Sequence, residues 1–143
     1  VEDDALRFHT SEKADAILLD APCTATGTIR RHPDIPWSKG ETALAALAEL
    51  QSKMIDHALA LLKPGGVLVY CVCSLQREEG EAQAKAALAR HASLERIPVT
   101  AEETGGLAQA ALTRDGDLRT LPSLLADKGG MDGFFAARFR LKV

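Results

Sequence analysis

Two short apolar runs joined by one long helical period constrain this fold most. Ala16-Ile17-Leu18-Leu19 is a continuous apolar stretch, and Val67–Val72 is a second, enriched in β-branched residues. Runs of this kind read as strands buried in a parallel sheet. Between them Leu44, Leu47, Leu50, Met54, Ala58 and Leu61 recur at spacings of three and four, which predicts a helix from Glu41 to about Leu62. Parallel neighbours need such a crossover.

Local signals bound these elements. Ser38-Lys39-Gly40-Glu41 reads as a capping box at the helix start, and Lys63-Pro64-Gly65-Gly66 as its stop. A second helix is expected from about Glu78 to His91, with Glu78, Glu79 and Glu81 in its first turn, where the helix dipole favours acidic groups. Leu94–Val99 reads as a third strand. Thr100–Lys128 is irregular, punctuated by Gly105-Gly106, Asp115-Gly116-Asp117 and Pro122. Phe134–Leu141 reads as a last strand, with Phe135, Ala137, Phe139 and Leu141 on one face and Arg138 and Arg140 on the other. The expected order is strand, helix, strand, helix, strand, strand: half of a doubly wound α/β sheet with a terminal hairpin-like pair.

The 143 residues are 46% hydrophobic, which suits one folded domain and argues against disorder. Three cysteines are too few, and odd in number, for a secreted disulfide framework. No apolar run approaches a membrane span, and Val1-Glu2-Asp3-Asp4 lacks the pattern of a signal peptide. A cytoplasmic, monomeric protein without a membrane partner is expected. His9, His57 and His91 are scattered, without metal-ligand spacing, so no metal is expected. The net charge of −3 does not mark a nucleic-acid binder, but it leaves room for a local basic patch or a separate domain. The first strand-like run appears only at Asp15, and no initiator methionine is present. A part of a longer polypeptide is expected.

Both predicted strands end in a thiol. Cys23 follows the first in Asp20-Ala21-Pro22-Cys23-Thr24, and Cys73 closes the second in Tyr70-Cys71-Val72-Cys73-Ser74. Open α/β sheets place their chemistry at the carboxyl ends of their strands, so both thiols are expected in one crevice. The bland alternative is a pair of small buried residues. Cys71, on the same side of the strand as Cys73, reads as packing; a Cys71–Cys73 disulfide would be strained. The loop Ala21–Trp37 is too long for a tight turn and reads as functional. Within it Arg30-Arg31-His32-Pro33-Asp34 is either a grip for phosphates or a solvated loop pinned by an Arg–Asp pair.

Taken in order, Asp20-Ala21-Pro22-Cys23-Thr24-Ala25-Thr26-Gly27, Arg30-Arg31-His32-Pro33-Asp34, Lys63-Pro64-Gly65-Gly66, Cys73-Ser74 with Glu78-Glu79-Gly80-Glu81, and the closing Gly133–Arg138 resemble the Sun-type (NOL/NOP/Sun) RNA (cytosine-5) methyltransferases. The resemblance implies a Rossmann-like class I methyltransferase sheet, of which this chain carries the C-terminal half, strands four to seven. It implies transfer of a methyl group from S-adenosylmethionine to carbon 5 of a cytosine in RNA, with ribosomal RNA as the expected partner. Carbon 5 is a poor nucleophile until a thiolate adds to carbon 6, which is covalent catalysis.

By this resemblance Cys73 is the nucleophile and Cys23 helps release the product. Lowered thiol pKa values are expected at both. Asp20 and Asp4 are the expected cofactor contacts, and Arg30 and Arg31 the expected RNA contacts. A glycine-rich loop after a first strand is absent from these residues. The domain over 1–143 is therefore expected to be partial and to bind S-adenosylmethionine weakly or not at all when isolated. A DNA cytosine-5 methyltransferase also carries a Pro-Cys dipeptide, there as nucleophile, but Cys73-Ser74 with Glu78-Glu79 favours the RNA class. A degenerate RNA-binding domain is the other alternative; a thiol-redox protein would need a Cys-x-x-Cys motif, which is absent.

Overall fold

A computed structural model describes residues 3–38, 41–105 and 107–143. Strand β1 spans Ala14–Asp20, and helix α1 is a short Ile35–Ser38 turn. Helix α2 spans Glu41–Ala60, β2 Leu62–Val72 and α3 Glu81–Arg90. Strands β3 (Leu94–Arg96), β4 (Leu118–Thr120) and β5 (Phe134–Leu141) complete the sheet. The expected capping box includes Lys39 and Gly40, which lie outside the described residues.

β1 and β2 pair in parallel, with Asp20 opposite Cys71. The sheet order is β1-β2-β5-β3. β5 runs antiparallel to β2, while β3 and then β4 share its other edge. The expected hairpin-like pair is thus β3 with β5, antiparallel but distant in sequence, and β4 is an element the sequence pattern did not reveal. It is too short to show a period.

The core lies between one sheet face and the α2–α3 layer. Leu68, Tyr70 and Val72 of β2 and Phe135, Ala137 and Phe139 of β5 meet Ile55, Leu59, Ala84 and Ala87 there. The fully buried face of α2 is Gln51, Ile55, Ala58 and Leu59, whereas Leu50, Met54 and Leu61 are only half-buried. The apolar stripe read from the sequence is rotated by about one residue from the face that enters the core. Its displaced members Met54, which also packs against the core's edge, and Leu61 line a cavity of about 480 Å³ with Phe8, Leu18 and His57.

Three expectations are corrected, and in addition β3 ends at Arg96 rather than at the expected Val99. Lys63-Pro64-Gly65-Gly66 does not separate helix from strand; it is an irregularity inside β2. The register steps from Ala14↔Leu62 to Ala16↔Val67, and Gly65 takes φ +81°. A bulge is where a strand tolerates proline. The helix expected from Glu78 begins at Glu81, leaving Glu78 and Glu79 in the preceding turn. Leu18 is 71% exposed although its run reads as buried on both faces; among the described residues only the face carrying Leu19 is covered, and β1 is a sheet edge.

Candidate active site

The parallel pairing of β1 and β2 brings the ends of both strands to one edge, and both thiols with them. Cys23 Sγ lies 3.5 Å from Cys73 Sγ. That is hydrogen-bond contact between thiols and well beyond a disulfide bond of about 2.05 Å. The two sulfurs have different surroundings. Cys23 is buried and Cys73 only half-buried. Burial pushes the Cys23 thiol up to about 12, outweighing a lowering hydrogen bond from the Ala25 backbone; Cys73 and Glu79 nearby push it further. The expected lowering at Cys23 is therefore reversed: desolvation disfavours its thiolate. Cys71 is buried at the strand end and donates its S–H toward Asp20 Oδ1 at 3.7 Å. Burial, then the Asp20 charge, raise it also to about 12.

A buried polar network welds the two thiol loops together. Glu79 is fully buried. Its carboxylate accepts from Thr24 N at 2.9 and 3.2 Å, from Thr24 Oγ1 at 2.5 Å and from Gln51 Nε2 at 3.0 Å. Gln51 Nε2 also donates to Pro22 O at 2.8 Å. Ser74 Oγ lies 3.1 Å from Thr24 Oγ1 and 3.2 Å from Thr26 Oγ1, and it accepts from Gln76 N at 3.0 Å. Leu75 N donates to Thr26 Oγ1 at 2.9 Å. Ala25 sits amid these bonds with φ +58°, a left-handed conformation that an alanine keeps only when its surroundings over-determine it.

The backbone closes the same loop from the far side. Gly27 N donates to Cys73 O at 3.0 Å, and Gly133 N donates to Gly27 O at 2.8 Å. A Cβ on Gly27 would fall 1.9 Å from Gly133 O, so only glycine admits this crossing. Arg119 on β4 steadies the second loop. It donates to Ser74 O at 2.6 Å, pairs with Glu81 Oε2 at 2.6 Å and stacks over the Phe135 ring at 4.8 Å.

The other expected site residues lie in three places. Asp20 stands exposed at the end of β1, on the thiol edge. Arg30 and Arg31 converge on Asp132, ahead of β5: Arg31 Nε donates to Asp132 Oδ2 at 2.8 Å, and Arg30 NH2 donates to Gly129 O at 2.9 Å. Arg31 first, then Arg30, hold the Asp132 carboxyl below its ordinary range. The basic turn is thus pinned by an Arg–Asp pair, with a distant aspartate as partner. Arg31 also lies within electrostatic reach of Cys73. Asp4 belongs to an exposed N-terminal turn, where its Oδ1 accepts from Leu6 N at 2.9 Å and Arg7 lies 3.8 Å away.

Sequence reasoning missed Glu79, Gln51, Thr24 and Arg119. The sequence pattern places Glu79 in the first turn of a helix. Gln51 carried a usable signal: a polar residue four positions from Leu47 and from Ile55, in the middle of an apolar stripe. Arg119 carried none. Among the described residues no group of three His, Cys, Asp or Glu could hold a metal ion, and no helix is long and apolar enough to cross a membrane.

A parallel β–α–β crossover with an antiparallel β5 beside it is half of a Rossmann-like sheet. The solved structures it resembles make it the C-terminal half of a class I methyltransferase sheet. Among them is a methyltransferase homologue from Pyrococcus horikoshii, at a TM-score of 0.64 and 32% identity over 92% of this chain and 40% of that one. A family model described as 16S rRNA methyltransferase RsmB/F matches residues 2–140, and the chain belongs to that family. It is 48% identical over 99 residues to "Ribosomal RNA small subunit methyltransferase B" of Vibrio vulnificus (strain YJ016), covering 69% of this chain and 23% of that protein. To the protein of the same name from Shewanella oneidensis it is 53% identical over 81 residues, covering 57% of this chain and 19% of the relative. The chain thus spans about a fifth of the length of these curated relatives. Among solved structures it resembles NSun6 from Pyrococcus horikoshii with SFG, at a TM-score of 0.76 and 29% identity, over 99% of this chain and 34% of that one.

Proposed function

We propose that this chain is part of an enzyme that methylates carbon 5 of a cytosine in RNA, in ribosomal RNA, within the cytoplasm. The observation that carries the reading is the 3.5 Å contact between Cys23 and Cys73 at the edge formed by two parallel strands. Family membership and the names of the relatives support the substrate class.

In this reading Cys73, the more accessible thiol, adds to carbon 6 as its thiolate and makes carbon 5 nucleophilic. S-adenosylmethionine, when bound, supplies the methyl group that carbon 5 takes. The carbon-5 proton then leaves to a base, and elimination of Cys73 restores the ring. Cys23 is held as a thiol by burial, so its S–H can donate toward the Cys73 sulfur as that sulfur departs. Asp20, an exposed carboxylate at the same edge, suits the cofactor's ammonium group or the exocyclic amine of the base. Asp4 would contact the cofactor's adenine. Asp20 and Asp4 are the described residues that fit the cofactor; a glycine cradle is not among the described residues. Arg30 and Arg31 would exchange part of their bonding to Asp132 for RNA phosphates.

Single cysteine replacements test the assignment. With RNA and cofactor, a covalent protein–RNA adduct that survives denaturing electrophoresis should accumulate in Cys23→Ala and be absent in Cys73→Ala. The reverse pattern would make Cys23 the nucleophile, as in the DNA enzymes, and would overturn the reading.

A further inference from the structure

We propose that Glu79 is the positioning residue that holds Cys23 against Cys73, and that it thereby governs product release rather than methyl transfer. This rests on the roles proposed above for the two thiols.

Glu79 is fully buried, yet the donors to its carboxylate are neutral: the Thr24 amide and hydroxyl and the Gln51 amide. A buried carboxylate is costly unless its hydrogen bonds are well made. Here those bonds converge on one object, the Cys23 loop. Thr24 follows Cys23 directly. Gln51, which donates to Glu79, also holds Pro22 O at 2.8 Å, directly before Cys23. Carboxylate and amide together grip the backbone on both sides of the thiol. Glu79 itself is fixed from the sheet, since Tyr70 OH donates to Glu79 O at 2.6 Å. Cys73 directly follows the last residue of β2, and none of these contacts with the Glu79 side chain involves it. Loosening Glu79 therefore frees Cys23 from both sides, whereas it reaches Cys73 only through the Thr24–Ser74 hydroxyl contact, and Gly27 N still holds Cys73 O. A helix-start role, the alternative the sequence suggests, does not apply, because α3 begins at Glu81.

The test uses the full-length gene product. Glu79→Gln keeps the side-chain size but turns one acceptor oxygen into a donor facing the donors of Thr24 and Gln51. Turnover should fall roughly tenfold to a hundredfold, the usual effect of displacing one catalytic group by a fraction of an ångström to an ångström. The kcat/KM for RNA should stay unchanged, KM falling together with turnover because the slowed step follows methyl transfer, and the covalent adduct should accumulate as it does in Cys23→Ala. Thr24→Val should behave likewise, and Thr24→Ser, which keeps the hydroxyl, should restore turnover. If Cys23→Ala accumulates adduct but Glu79→Gln loses turnover without it, Glu79 is merely structural and the proposal is overturned. If Cys73→Ala forms adduct, the underlying reading fails instead. Should Glu79→Gln not fold, the threonine pair decides: adduct in Val and not in Ser supports the proposal, and adduct in neither ends it.

Discussion

Cys23 and Cys73 lie in contact, yet they meet solvent differently. Burial holds Cys23 and Cys71 as thiols up to about 12, whereas Cys73 is only half-buried. Alkylation needs both access and thiolate. Iodoacetamide at about pH 8 should therefore modify Cys73 first, and the other two only as the protein unfolds; peptide mapping over time reads the order. Equal rates at all three would contradict the burial described. At this scale the motifs around the thiols were legible, because each follows an apolar run with its own loop signature. The grip of Glu79 was not: an acidic residue shortly before a helix has an ordinary explanation, and burial depends on contacts twenty-eight and fifty-five residues away.

Among the elements, the loop after β1 depends on a close crossing. Gly27 passes Gly133 with backbone against backbone, and a methyl group on Gly27 would overlap the Gly133 carbonyl. Gly27→Ala should cost at least about 2 kcal/mol, in the range of overpacked interiors, seen as a lower urea midpoint with unchanged slope. Gly133→Ala should cost less, since its tightest neighbour is the Leu75 side chain, which can turn aside. An equal loss in both would argue against the crossing. The main helices and long strands were legible from period and run length, and β5 to the residue. The bulge in β2 was not, because Pro-Gly-Gly after a helix signals a stop whether or not pairing has already resumed. The α2 stripe misled for a related reason: Met54 and Leu61 line the cavity, and Met54 meets the core only as a partly buried neighbour.

For the molecule as a whole, the strap from β3 to β4 carries a pH-dependent share of stability. Asp117 is 1% exposed and pairs with Arg96 at 2.5 Å, while its Oδ1 has no partner among the described residues. Burial outweighs the Arg96 charge and raises its carboxyl to about 6. A carboxyl raised on folding binds its proton in the folded state after the unfolded chain has released its own. Its contribution is present below the ordinary carboxylate range and is lost as pH rises through about 6. The loss should amount to as much as about 3 kcal/mol. Urea melts between about pH 4 and pH 7 should show this decline in the native protein. Asp117→Asn should flatten it, even though it also weakens the tie to Arg96. An unchanged slope in the variant would assign the pH dependence to other groups.

The position of β5 sets the order in which these parts can come into being. It is hydrogen-bonded between β2 on one side and β3 and β4 on the other, yet it is translated after all of them. Until Gly133 and the strand beyond it leave the ribosome, Gly27 has nothing to close against and β2 lacks its antiparallel neighbour. A nascent chain of this kind carries both sulfurs long before it can hold them in register. The two sulfurs are thus set against each other only once β5 has joined β2.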